Sequence, residues 1–237
     1  MPVAAREIWL RVANGVAILS GRGRAVWNEP PAIASALREL LSVVPLTHAE
    51  IALEVLRHRQ EPAADWRALL SREGDWAELL RETVAAVADA ASGRAAWGFG
   101  LPNPADVAQS LGDASDRGLT KAGILLASFL QAFREARLDF VAVDLTRSQT
   151  SDKVIAPVFR NAQMYGWKRV AIVLDAAANV AGADVRLAGG DALPASFWNG
   201  DANALAPERE TIYGEIPSGI DAAAIVAAGR NLERWRV

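Results

Sequence analysis

Two short segments constrain the fold of this chain more than any other feature. Residues 97–108, Trp-Gly-Phe-Gly-Leu-Pro-Asn-Pro-Ala-Asp-Val-Ala, are typical of a strand, a tight glycine–proline turn and the start of a helix. Residues 140–144, Phe-Val-Ala-Val-Asp, are typical of a buried strand that ends in a carboxylate. A long helical stretch lies between them. This layout predicts a β/α repeat, in which the loops at the C-terminal ends of parallel strands carry the chemistry.

The alternation continues over residues 95–237, because apolar runs of strand length take turns with amphipathic helical patterns. Strands that are joined by helices pair in parallel, so we expect residues 1–237 to form a single α/β domain. The further candidates in this portion are a helix at 152–164 and strands at 169–175, 185–187, 196–198 and 210–214.

The N-terminal portion shows a different pattern. Two apolar runs flank Asn14-Gly15, a dipeptide that favours a two-residue hairpin turn because both turn positions need positive φ. We therefore expect a hairpin and loop over residues 1–28. Residues 30–92 look helical throughout, which predicts a helical portion placed before the β/α repeats.

A capping box supports that helical prediction. In Thr47-His-Ala-Glu50, the hydroxyl and the carboxylate each satisfy an orphan backbone N–H at a helix start. His48 would then lie on the surface, and His58 would lie near a helix end. We interpret both histidines as structural residues.

Composition excludes several classes of site. The chain has 237 residues, no cysteine and two histidines, so disulfides, thiolate zinc sites and histidine-rich metal sites are excluded, and we expect no metal and no cofactor. The formal net charge of −3 argues against a nucleic-acid partner. With no signal-like N-terminus and no long apolar run, we expect no membrane association and a cytoplasmic location.

Residues 98–108 resemble the uroporphyrinogen decarboxylase and cobalamin-independent methionine synthase superfamily. The likeness extends to the helix at 119–137, the strand at 138–144 and the closing Tyr213-Gly-Glu-Ile-Pro217, over roughly residues 75–237. It implies a (β/α) barrel, complete or reduced. The chain departs from the superfamily in having no cysteine for a zinc site and no arginine-rich N-terminal motif for substrate carboxylates, and it is shorter than typical members.

Three carboxylates are the catalytic candidates, because each follows a predicted strand. If the strands are parallel, Asp144, Asp175 and Glu215 gather at one end of the sheet, where neighbouring carboxylates have pKa values pushed apart and can share acid–base work. The alternative is structural: the aspartates cap helices or hold loops, and Glu215 pairs with an arginine.

Five residues are candidates for substrate binding. Arg147 lies just beyond Asp144 and suits a bidentate contact to a substrate carboxylate, although an ion pair with Asp144 or Asp152 is the alternative. Asn103 begins a helix, where backbone N–H groups attract anions. Tyr213 and Trp198 offer a hydrogen-bond donor and an aromatic wall, with packing as the alternative. The fifth candidate is Arg160, on the predicted helix after Asp144.

These patterns lead to two functional hypotheses. The first is an enzyme that acts on a small organic substrate, carboxylated or aromatic, by lyase- or decarboxylase-like acid–base chemistry. The second is a non-catalytic barrel relative that serves as a binding or partner subunit. In either case we expect the helical portion at 30–92 to be the surface for a homodimer or a heteromeric partner.

Overall fold

The structure is a computed structural model that describes residues 6–57, 66–71, 76–146, 151–175, 178–188, 193–201, 204 and 210–236. Its strands are β1 Glu7–Arg11, β2 His48–Ala52, β3 Ala96–Leu101, β4 Phe140–Asp144, β5 Lys168–Val173, β6 Val185–Ala188 and β7 Thr211–Glu215. Its α-helices are α1 Ala13–Leu19, α2 Pro30–Val43, α3 Leu53–Arg57, α4 Trp66–Ser71, α5 Trp76–Ala91, α6 Pro104–Ser110, α7 Asp116–Leu130, α8 Asp152–Met164, α9 Ala195–Trp198 and α10 Ala222–Arg236, with 3₁₀ helices at Gly23–Asn28 and Gln131–Phe133.

The strands form one parallel sheet that curves into an incomplete (β/α) barrel. The hydrogen-bonded order is β6-β5-β4-β3-β2-β1-β7, and every neighbouring pair is parallel. Strands β6 and β7 end this order and do not pair with each other, so the barrel is open between them. On the β7 side, the backbone N–H of Leu193 donates to the carbonyl of Tyr213 at 2.7 Å. The predicted α/β class with a reduced barrel is thus confirmed.

Two apolar layers hold this arrangement together. The inner layer fills the barrel with side chains that point away from the helices; its members are Trp9, Phe140, Ala142, Val170, Ile172, Leu187 and Tyr213. The outer layer lies between the opposite strand faces and the amphipathic helices, and α7 contributes Leu126, Phe129 and Leu130 to it. Because successive side chains of a strand point to opposite faces, each strand supplies both layers.

The predicted N-terminal hairpin is wrong. Asn14 and Gly15 lie in helix α1, and β1 is parallel to β2 on one side and to β7 on the other, which leaves it no antiparallel partner. Packing explains the glycine: a Cβ on Gly15 would lie 2.6 Å from the Cδ1 atom of Ile216. Asn14 donates through Nδ2 to the carbonyl of Ile216 at 2.8 Å, which binds α1 to the segment after β7.

The predicted capping box is also wrong, because His48 and Glu50 belong to strand β2 inside the portion expected to be helical. The Thr47 hydroxyl accepts from the backbone N–H of Ile8 at 2.8 Å and donates to the Ile8 carbonyl at 3.0 Å, so it joins two strands. His48 is buried against Trp9, with ring centroids 3.5 Å apart. A short run of mixed polar and apolar residues does not show by itself whether it forms a helix or a strand, because it is too short to establish a helical or an alternating period.

Two smaller expectations have different outcomes. Residues 196–198, a strand candidate, lie in the short helix α9. The helix expected at 152–164 is α8, and the strand expected to end at Asp144 is β4. His58 lies outside the described residues. Among the described residues, no helix has the length and apolar character needed to cross a bilayer.

Candidate functional site

The C-terminal ends of the strands surround a cavity of about 370 Å³. Arg11, Asp144 and Glu215 stand at the last positions of β1, β4 and β7 and line this cavity. In the parallel register, Arg11 lies beside Glu50 of β2 on one side and Glu215 on the other. This is the end of a parallel barrel at which substrates are bound in enzymes of this architecture.

Arg11 joins two carboxylates from different strands. Its Nε donates to Oε1 of Glu50 at 2.9 Å, and its Nη2 donates to Oδ2 of Asp144 at 2.8 Å. The guanidinium also lies over the ring of Tyr213, 5.7 Å from the ring centroid. Arg11 therefore links β2, β4 and β7 in the interior of the barrel.

The two carboxylates differ in exposure. The Glu50 side chain is 3% exposed, whereas that of Asp144 is 22% exposed and reaches the cavity. The other oxygen of Asp144, Oδ1, accepts from the backbone N–H of Thr146 at 2.9 Å and from its hydroxyl at 2.6 Å. Asp144 is thus held in one orientation from two sides.

A glycine makes room for the buried carboxylate. Gly100 of β3 pairs with Ala52 of β2, and the Glu50 side chain extends alongside it, so that a Cβ at Gly100 would lie 2.0 Å from the Glu50 Oε1 atom. Glu50 cannot move aside freely, because the same oxygen accepts from Arg11. A glycine is therefore required here by close packing against the Glu50 side chain, and not by its backbone conformation.

Burial and charge shift the pKa values of the three groups in different directions. Burial raises the pKa of Glu50, and the neighbouring Arg11 only partly opposes that shift. For Asp144, burial acts upward too, but the Arg11 charge and the Thr146 hydrogen bonds outweigh it and hold the pKa below its usual range. Burial alone would lower the pKa of Arg11, but the nearby Glu50, Tyr213 and Asp144 outweigh this effect and raise it. Arg11 and Asp144 are consequently charged at neutral pH.

Helices and loops that follow the strands build the wall of the cavity. Asn14 of α1 donates through Nδ2 to Oε1 of Glu215 at 3.1 Å. Asn103, 2% exposed, caps α6 by accepting from the backbone N–H of Ala105 at 2.9 Å. The remaining polar and aromatic wall residues are Arg24, Trp27, Glu54 and Asp106.

The structure brings together only part of the predicted site. Asp144, Glu215 and Asn103 line the cavity, and Tyr213 lies buried beneath it against Arg11. Burial, together with the nearby Glu50 charge, raises the pKa of the Tyr213 hydroxyl. The predicted convergence of strand-end side chains therefore holds for β4 and β7.

The other predicted residues lie elsewhere. Asp175 follows β5 at the same end of the barrel, but its side chain is exposed and does not line the described cavity. Arg160 is exposed on α8, since that helix buries its opposite face against the sheet. Trp198 is buried in α9 and borders a separate groove along α10. Arg147 lies outside the described residues.

Sequence reasoning missed Arg11 and Glu50. The predicted hairpin over residues 1–28 places Arg11 in the apolar run before Asn14, and the predicted capping box makes Glu50 a helix cap. A signal did exist: each is a charged residue between apolar neighbours in a short run, which is how an inward-facing polar group in a barrel strand appears. The pairing partner of each was not visible in the sequence.

Within the described ranges, no group of three or more histidine, aspartate or glutamate side chains has the arrangement of a metal site. Arg11 lies between Glu50 and Asp144 and supplies the positive charge that both carboxylates contact. We therefore assign no residue to a metal or a cofactor.

No family model matches the chain, and no curated protein matches it. Among solved structures, it is similar to the crystal structure of a cog1816 amidohydrolase from Burkholderia ambifaria with bound Zn, at 13% sequence identity and a TM-score of 0.42. The match covers 72% of this chain and 52% of the other, so the chain spans about half the length of that protein. A likeness of this degree assigns the chain neither a family nor an activity.

Proposed function

We propose that this protein is an enzyme that transfers protons on a small organic substrate bound at the C-terminal mouth of the barrel. The observation that carries the proposal is the position of Asp144, a carboxylate at the floor of the cavity that is held by Arg11 at 2.8 Å and by Thr146 at 2.6 Å. A carboxylate with both oxygens oriented and one edge open to a cavity suits general base catalysis.

Asp144 is the proposed base. Because Arg11 and Thr146 keep its pKa below the usual range, it is ionised at neutral pH and accepts a proton in this state. The same lowered pKa makes it a poor general acid, since its protonated form is scarce. We therefore assign Asp144 the role of base rather than acid.

Glu215 is the proposed partner for the return of a proton. It lines the same cavity, its side chain is exposed, and Asn14 orients one of its oxygens. In a lyase-like reaction, a C–H bond breaks and its proton goes to Asp144, while the leaving group departs with its bonding electrons and takes a proton from a water molecule that Glu215 orients. The hydroxide so formed takes the proton back from Asp144, so that protons balance over the cycle.

Lyase or decarboxylase chemistry and a carboxylated substrate remain part of the proposal. An ionised base suits elimination, in which proton removal comes first. Decarboxylation would require a proton donor near the carbon that loses CO₂, a role that falls to a water molecule held by Glu215. The role of Arg147 as an anion clamp stays a prediction. The catalytic role of Asp175 also stays a prediction, and the proposal assigns this residue no step, because it does not line the cavity.

Substitution of Asp144 tests the function directly. Turnover of a panel of small hydroxy, amino and keto acids, followed by NMR, would first identify a reacting compound. Asp144→Asn should then lower kcat by about 10²–10⁴-fold, the range for loss of a general base. Asp89→Asn, at an exposed pair with Arg38, is the matched control and should leave kcat unchanged. Equal turnover of Asp144→Asn and wild type would refute the assignment.

The non-catalytic alternative has a distinct outcome. If the protein turns over none of these compounds and copurifies with a catalytic partner, it is a binding subunit. A homodimer or heteromer through the portion at 30–92 likewise stays a prediction. Light scattering of the purified chain would determine the oligomeric state.

A further inference from the structure

Arg24 presents an uncommitted positive charge to the proposed active site. It lies in the 3₁₀ helix Gly23–Asn28, its side chain is exposed, and it lines the cavity. Among the residues that the structure describes, it forms no hydrogen bond or ion pair. Its neighbour Arg22 differs, because Arg22 pairs with Glu29 and does not line the cavity.

The backbone that carries Arg24 is anchored. Val26 and Trp27 follow it in the same 3₁₀ helix and are 0% and 1% exposed, so they hold this turn against the core. Gly23 precedes Arg24 with φ of 54°, a conformation that other residues rarely adopt. The position of Arg24 at the cavity rim is therefore set by buried neighbours.

The charged residues of the cavity wall include both arginines and acids. Arg11 is already engaged by Glu50 and Asp144. Among the described residues of the wall, the other cation is Arg24, and the remaining charged residues are the acids Glu54, Asp106 and Glu215. A ligand that carries both charges can contact Arg24 and one of these acids at the same time, whereas a ligand with a single charge can contact only one of the two kinds favourably.

We propose that the substrate is a zwitterion of amino-acid type, whose carboxylate binds the Arg24 guanidinium and whose ammonium group faces the acidic wall. This inference rests on the proposed function and names its substrate class. A guanidinium binds a carboxylate through two parallel hydrogen bonds, which accounts for an arginine at the rim. The cavity of about 370 Å³ is within the size range of small-molecule sites.

Matched ligands test the charge requirement without turnover. Phenylalanine, phenethylamine and hydrocinnamate share one skeleton and carry both charges, only the ammonium and only the carboxylate; alanine, ethylamine and propionate form a second such set. We expect the melting temperature of the full chain to rise with at least one amino acid at millimolar concentration, and to rise much less with its singly charged counterparts. A ligand that binds only the native state stabilises it by mass action.

Two arginine variants then locate the carboxylate contact. Arg24→Gln should weaken amino-acid binding by about tenfold or more, in line with the loss of a charged hydrogen bond. Arg22→Gln, two positions away, should leave the affinity unchanged. Both residues are exposed, so neither variant should fail to fold.

The outcomes separate the two proposals. Absence of a shift with every amino acid, equal shifts with the amines, or an unchanged affinity in Arg24→Gln would each overturn the zwitterion proposal, even if a compound of another class is turned over. Amino acids that bind through Arg24 but are never transformed would support the ligand class and contradict the catalytic function.

Discussion

Arg11 and Glu50 form an ion pair in which the Arg11 Nε lies 2.9 Å from the Glu50 Oε1 atom, between adjacent parallel strands. The carboxylate is 3% exposed, so it relies on the guanidinium for charge compensation. A second bond from Arg11 reaches Asp144 at 2.8 Å. Both the interior of the barrel and the floor of the cavity thus depend on one arginine.

Removal of Arg11 should destabilise the fold. In Arg11→Met the buried Glu50 loses its partner, and we expect the free energy of unfolding at neutral pH to fall by about 3–5 kcal/mol, the cost of breaking a buried pair on one side. Urea denaturation followed by circular dichroism measures this change. Arg38→Met breaks an exposed pair with Asp89 and should cost less than about 1 kcal/mol. Similar losses in the two variants would contradict the role of Arg11.

Gly100 should tolerate no side chain. In Gly100→Ala, the new methyl group would overlap Oε1 of Glu50, which Arg11 holds in place. We expect a loss of about 1–3 kcal/mol in the free energy of unfolding, as for overpacking in a core. Gly219→Ala is the matched control, because a Cβ there meets no atom within 4 Å. A neutral Gly100→Ala would show that Glu50 has room to move.

His48 should make the stability of the protein depend on pH. Burial against Trp9 lowers its pKa from 6.5 to about 4. The native state therefore binds fewer protons than the unfolded state in this window, and stability is lost as the pH falls from 6.5 towards 4.

Replacement of His48 by an uncharged ring isolates this effect. His48→Phe retains an aromatic ring beside Trp9. As the pH falls through that window, the stability of this variant relative to wild type should increase by on the order of 2 kcal/mol, because wild type alone loses stability through His48. Paired urea titrations at neutral and acidic pH give the difference. If the two proteins lose stability in parallel, His48 is not the titrating group.

Asp184 should hold the open edge of the barrel. It accepts from the backbone N–H and from the Nε of Arg169, both at 2.8 Å, just before β6 begins. Arg169 and the adjacent Lys168 charge lower its pKa, with the Arg169 hydrogen bond as the main cause. Asp184→Ala should cost about 1 kcal/mol and increase amide exchange in β6 more than in β1. Asp89→Ala should not change exchange in β6.

Local signals predicted the central repeats well. Strands β3 and β4, the N-cap at Asn103 and helix α8 were all evident, because each is specified by its own residues: a run of apolar side chains, a turn dipeptide, or a capping side chain. The same signals failed for β1 and β2. Asn14-Gly15 has a strong turn preference, yet helix α1 forms there because Gly15 packs against Ile216 and Asn14 bonds to its carbonyl.

The sequence by itself determined the alternation of strands and helices, and with it the end of the sheet at which Asp144 and Glu215 lie, because apolar periodicity and strand-end carboxylates are local properties. Only the tertiary structure decided that Arg11 joins Glu50 and Asp144, which lie 39 and 133 positions away along the chain. A buried charge is stable only beside its partner, and that partner is chosen by strand order and register. No local sequence pattern specifies the strand order or the register.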